Sequence, residues 1–114
     1  MTPRPSQKAY KSKYRNQPVT VDGIRFASKA EAKRYTDLKF LQRAGEISGL
    51  DLQVKFPIRH NGVLICTYVA DFIYFDKKNG GRRIVEDKKG FATREYKLKA
   101  KLMKAFYNIE VLET

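Results

Sequence analysis

Tyr68-Val69-Ala70-Asp71-Phe72-Ile73-Tyr74 and, a short loop later, Ile84-Val85-Glu86-Asp87-Lys88-Lys89-Gly90 decide the reading of this chain. Each is an apolar, strand-like run that carries acid where a core strand has none. A buried carboxylate is costly unless it is paired or holds a cation. Side chains alternate across a strand, so Glu86 and Lys88 share one face, and Asp87 and Lys89 share the other. Either register sets a carboxylate two residues before a lysine. Two carboxylates on adjacent strands suit Mg²⁺, with Mn²⁺ as a substitute. The cation would lower the pKa of bound water and offset charge on a phosphate, and the lysine would orient the water or stabilise the phosphorus centre.

Composition points to the same partner class. The chain has 114 residues, enough for one core, and its 42% hydrophobic content suits a folded domain. Lys and Arg total 24 against 12 Asp and Glu, a net charge of +12. Such an excess favours phosphate backbones over neutral partners. An anionic membrane would call for a basic helix with a broad apolar face, which fits poorly, and no run has the ~20 apolar residues of a membrane helix. Cys66 is the only cysteine and His60 the only histidine. A disulfide framework and a closed zinc site are therefore excluded, and nucleophilic catalysis by a Cys/His or Ser/His pair is disfavoured. Polar and basic residues follow Met1, which does not resemble a secretory leader, so the expected compartment is a reducing cytoplasm.

Outward from the acidic runs, the pattern predicts one domain over residues 18–114 behind a flexible basic arm at 1–17. The arm holds Lys11, Lys13 and Arg15 and no acid. Asp22-Gly23 between short alternating runs predicts a hairpin. Ser28-Lys29-Ala30-Glu31 matches a capping box and opens a helix to about Arg43, with Glu31, Tyr35, Leu38 and Gln42 on one core-facing stripe. Strands are expected over 50–58, 63–75 and 82–89. Thr93 caps a second helix to about Tyr107 whose apolar stripe is Leu98, Leu102 and Phe106. Arg94, Lys97, Lys101 and Lys104 lie on another face of it, read either as a solvated stripe or as a phosphate-binding one. A short strand at 109–112 closes the chain. Glu31 is either a capping residue alone or a third acid near the metal, and Gln53 is a weaker candidate.

Taken in order, these residues resemble the PD-(D/E)XK nuclease superfamily, over about three quarters of the chain. That resemblance implies an α/β fold, a mixed sheet in an αβββαβ restriction-endonuclease-like core, here behind an N-terminal hairpin and the basic arm. It assigns Glu31 from the first helix, Asp71 from the second core strand, and Asp87 with Lys89 (or Glu86 with Lys88) from the third. Asp71, Asp87 and Glu86 are the metal candidates. Val69-Ala70-Asp71 lacks the proline of the motif's name. More closely, the chain looks like a phage-borne group related to Holliday-junction resolvases, in which Gly follows the motif lysine. Lys89-Gly90 matches that, which favours Asp87 and Lys89. The resemblance implies Mg²⁺-dependent cleavage of branched DNA by a homodimer in a bacterial host cytoplasm, with no small-molecule cofactor. Arg94, Lys97, Lys101, Lys104, Lys11, Lys13 and Arg15 would hold phosphates. The alternative is a basic nucleic-acid-binding module without catalysis.

Overall fold

A computed structural model describes residues 17–88 and 92–114, and the basic arm, with Lys11, Lys13 and Arg15, lies outside them, as do Lys89 and Gly90. The described residues form a mixed α/β structure with two helices, a two-stranded sheet and a four-stranded mixed sheet. Contacts divide the chain into two compact units that meet at Asp37/Leu38, within the first helix.

In the N-terminal unit, β1 (Val19–Val21) and β2 (Ile24–Phe26) form an antiparallel hairpin. Asp22 and Gly23 both have positive φ, at 53° and 76°, as a type I′ turn requires. The Asp22 carboxylate accepts a hydrogen bond from the Tyr35 phenol at 2.9 Å. Helix α1 (Lys29–Arg43) opens where the capping box predicts: Ser28 Oγ accepts from the Glu31 N–H at 3.1 Å. Ala32, Tyr35 and Leu38 are its buried positions, whereas Glu31 and Gln42 are half-buried. The helix ends at Gly45, whose φ of 83° lets the chain turn back and the Glu46 N–H reach the Leu41 carbonyl.

In the second unit, β3 (Ile47–His60), β4 (Val63–Asp76), β5 (Arg82–Asp87) and β6 (Leu112–Glu113) lie side by side in that order. The first two pairings are antiparallel, and β6 returns parallel to β5 after helix α2 (Arg94–Tyr107). From α1 onward the order is αβββαβ. Asn61-Gly62, another pair with positive φ, joins β3 to β4. Phe56, Ile58, Tyr68, Ala70 and Val85 of the sheet pack with Tyr96 and Met103 of α2. Thr93 caps α2 through its Oγ1, which accepts from the Tyr96 N–H at 3.1 Å.

The buried face of α2 differs from the expected stripe. Leu98 is 58% exposed and Phe106 41%, while Tyr96 and Met103, seven residues apart, are buried. Seven residues make two turns, so these two share one line along the helix. The expected stripe of Leu98, Leu102 and Phe106 does not include Tyr96. A tyrosine ring has a large apolar body, and here it carries the core contact.

Candidate functional site

The register of β4 on β5 brings the two acidic runs together. Phe72 pairs with Glu86, Ile73 with Val85 and Tyr74 with Ile84. One further step sets Asp71 beside Asp87, and there side chains replace the regular ladder. The Asp71 N–H donates to Asp87 Oδ1 at 3.2 Å, and the Lys88 N–H donates to Asp71 Oδ2 at 3.0 Å. Each acid is thus held by the backbone of the other's strand. Asp87 Oδ2 also accepts from the Tyr68 phenol, and Asp71 Oδ1 accepts from Gln53 Nε2 at 3.4 Å. Gln53 takes a positive φ of 51° within β3, and neither it nor Asp71 takes part in the paired register that resumes on either side. Asp87 is 1% exposed, and Asp71 is half-buried.

Alternation separates Glu86 from this pair. Glu86 is fully buried. Its Oε1 accepts from the Tyr74 phenol at 2.6 Å and its Oε2 from Thr114 Oγ1 at 2.9 Å. The Thr114 N–H in turn donates to the Asp87 carbonyl at 3.0 Å. Glu86 therefore ties β4 and the C-terminal strand to β5 through hydroxyl donors, which meet the cost of burying its charge.

Asp87 opens into a cleft of about 210 Å³ that Tyr68, Thr93, Glu95, Tyr96 and Lys99 help to line. Lys99 Nζ lies 3.4 Å from a Glu95 carboxylate oxygen, with the lysine the more buried partner. Burial raises the Tyr96 phenol pKa, and the nearby charges of Asp87, Glu113 and Asp71 raise it further. Above the ordinary tyrosine value of 10.0 the unfolded chain sheds this proton while the folded chain keeps it. The unfolded state then binds fewer protons, so stability falls as pH rises beyond 10. Urea unfolding at stepwise alkaline pH is expected to show that decline, and Tyr96→Phe is expected to flatten it.

Of the residues singled out from sequence, Asp71 and Asp87 come together, and the Lys88 backbone joins them. Glu31 stands in the first turn of α1, in the N-terminal unit, with its N–H in the Ser28 cap. Lys89 lies outside the described residues. Arg94, Lys97, Lys101 and Lys104 are all exposed along α2, and Lys104 approaches Glu110 at 3.9 Å. Sequence reasoning missed Tyr68, Tyr96 and Lys99. The signal for Tyr68 was present, as the aromatic opening the same strand run as Asp71. Tyr96 and Lys99 reach the cleft only because α2 folds back across the sheet.

Among the described residues, no group of three or more His, Cys, Asp or Glu is gathered closely enough to hold a metal by itself. Two hard carboxylates are nonetheless the donor set that Mg²⁺ takes when waters and substrate phosphate complete its shell. Each oxygen of Asp71 and Asp87 accepts one hydrogen bond described above, and a carboxylate offers about four lone-pair sites. Asp71 and Asp87 therefore fit Mg²⁺ or Mn²⁺.

Residues 11–112 match the model of a protein family described as "Protein of unknown function (DUF1064)". No curated protein and no solved structure matches the chain. Among the described residues, no helix is long and apolar enough to cross a membrane.

Proposed function

The chain belongs to the DUF1064 family, and we propose that it is a Mg²⁺-dependent endonuclease that hydrolyses phosphodiester bonds in branched DNA. The observation that carries this reading is the Asp71–Asp87 pair, bonded across two strands beside a cleft, in a chain of net charge +12. A protein that only bound phosphate would gain nothing from acids at that place, since they repel the ligand.

In this reading Asp71 and Asp87 hold the cation, which when bound would acidify a water and offset charge on the phosphate. Tyr68 fixes the rotamer of Asp87, and Gln53 and the Lys88 N–H fix Asp71. Lys89, two residues after Asp87, orients the attacking water or steadies the charge that develops on the phosphate oxygens. The water oxygen bonds to phosphorus as the bond from phosphorus to a deoxyribose oxygen breaks, the attacking water's proton passes to solvent, and the leaving sugar oxygen takes up a proton from solvent. The bonding of Glu86 to Tyr74 and Thr114 favours the Asp87–Lys89 register over Glu86–Lys88. Glu31 assists from the first helix. Arg94, Lys97, Lys101 and Lys104, with Lys11, Lys13 and Arg15 of the arm, hold backbone phosphates. Resolution of a junction takes two symmetric cuts, so the acting form is a homodimer, and the setting is the cytoplasm of a bacterial host.

Supercoiled plasmid and a labelled four-way junction incubated with the protein are expected to be nicked in Mg²⁺ or Mn²⁺ and left intact in EDTA. Retarded but uncut DNA in every metal would sink the reading. One alternative, a non-catalytic nucleic-acid-binding module, accounts for the net charge of +12 equally well, and uncut DNA is its signature. If roughly six phosphates are contacted, log K falls against log salt with a slope near −5. Deleting residues 1–15 is expected to flatten that slope, and an unchanged slope would remove the arm from the interface.

A further inference from the structure

The β3–β4 pairing runs well past the four-stranded part of the sheet. It continues from Val54–Ala70 to His60–Val63, whereas β5 reaches only as far as Phe72 on β4. The far part is thus a two-stranded ribbon closed by the Asn61-Gly62 turn. Helix α2 braces it near the tip. The Tyr107 phenol donates to the Pro57 carbonyl at 2.5 Å, its ring stands edge-on to Phe56 at 5.5 Å, and Phe106 stands edge-on to His60 at 6.1 Å. A braced two-residue turn makes the tip a firm projection.

That tip is apolar and open. Val63 is 64% exposed, Leu64 48% and Ile65 50%, with Phe106 at 41% beside them. Isolated exposed apolar residues are ordinary, but three consecutive ones at one turn, with an adjacent aromatic, give the ribbon tip apolar surface on both faces. The charge around it has one sign: between Leu52 and Ala70 there is no acid, while Lys55, Arg59 and His60 are exposed. A second copy of this chain would bring one cationic collar against another in a molecule already at +12. A ligand with apolar faces inside an anionic outline complements both features, and an opened base step flanked by phosphates has that form.

We propose that the β3–β4 ribbon is a nucleic-acid wedge: Val63, Leu64 and Ile65 enter an opened base step at a branch or mismatch, while Arg59 and Lys55 hold the flanking phosphates. Apolar side chains inserted between base steps unstack them at a cost that is lowest where pairing is already broken. The ribbon therefore selects the DNA structure, and the acidic pair acts on what has been selected. The inference rests on the DNA reading above and deepens it by assigning the preference for branched substrate to this element.

The test uses the full chain with all three positions changed, Val63→Thr, Leu64→Thr and Ile65→Thr. These substitutions place threonine, a β-branched residue as Val63 and Ile65 already are, on exposed strand positions, and thermal unfolding checks that the fold is kept. Binding is read by fluorescence anisotropy in EDTA, with a perfect duplex, the same duplex carrying a short mismatch bubble, and a four-way junction. The unaltered chain is expected to bind bubble and junction about tenfold more tightly than duplex, and the variant to bind all three at the unaltered duplex affinity. 2-Aminopurine at the bubble edge is expected to brighten with the unaltered chain and not with the variant. A retained preference in the variant, or an equal loss on all three DNAs, would overturn the proposal. A change of oligomeric state on sedimentation with DNA preference intact would assign the tip to self-association. Loss of binding to phosphatidylserine vesicles with that preference intact would assign it to a membrane. No metal is present, so failed cleavage leaves this result standing, and a lost wedge leaves Mg²⁺-dependent cleavage through Asp71 standing.

Discussion

Asp71→Ala is expected to lower Mg²⁺-dependent cleavage of a labelled four-way junction at least about a thousandfold, or about 4 kcal/mol of barrier, while DNA binding persists. The carboxylate is one of two that fit the cation, and removing it leaves Asp87 alone. It also releases the Lys88 N–H and Gln53, which loosens the backbone just past the end of β5. Asp71→Asn keeps the shape and the size of the side chain but lacks the charge, so it is expected to fall nearly as far. Binding persists because the cations assigned to phosphate lie on α2 and on the arm. Cleavage by Asp71→Ala at the unaltered rate would remove the metal assignment outright.

Glu86→Ala has a different expected signature: loss of stability instead of loss of chemistry. Glu86 is fully buried and accepts from Tyr74 and Thr114. Truncation leaves two hydroxyl donors without this acceptor and opens a cavity, at a combined cost of about 3 kcal/mol. That is a large share of the 5–15 kcal/mol, roughly, that holds a domain of this size together. Urea unfolding reads the loss, and cleavage per folded molecule at low temperature is expected to stay near the unaltered value. The milder Glu86→Gln keeps an acceptor oxygen and is expected to be less destabilising. If Glu86→Gln instead abolished cleavage at unaltered stability, the Glu86–Lys88 register would be the acting one.

These two acids show how far sequence carries. Their neighbouring positions on one apolar strand marked both as unusual, and strand alternation said that only one could face Asp71. Which one depended on how β5 slides against β4, and hydrophobic pattern alone does not fix that step, because both faces of a central strand are apolar. The pairing of Phe72 with Glu86 decides it. The expected stripe on α2 holds at Leu102, which packs against the core, and fails at Leu98 and Phe106 for a related reason. Leu98 and Phe106 are more apolar in composition than Tyr96, but the angle at which the helix meets the sheet turns Tyr96 and Met103 inward. Capping and turn signals fared better, since Ser28, Thr93, Asp22-Gly23 and Asn61-Gly62 act through bonds and dihedral angles within a few residues.

By itself, then, the sequence determined the local punctuation, the αβββαβ order, the basic charge and the presence of acid in two apolar strands, because each depends on neighbours in the chain. Only the tertiary structure decided that Asp87 meets Asp71, that Glu86 turns to Tyr74 and Thr114, that Tyr68 and Tyr96 frame the cleft, and that the β3–β4 ribbon runs on beyond β5. Those outcomes depend on strand register and helix orientation, which are set by packing between segments far apart in sequence.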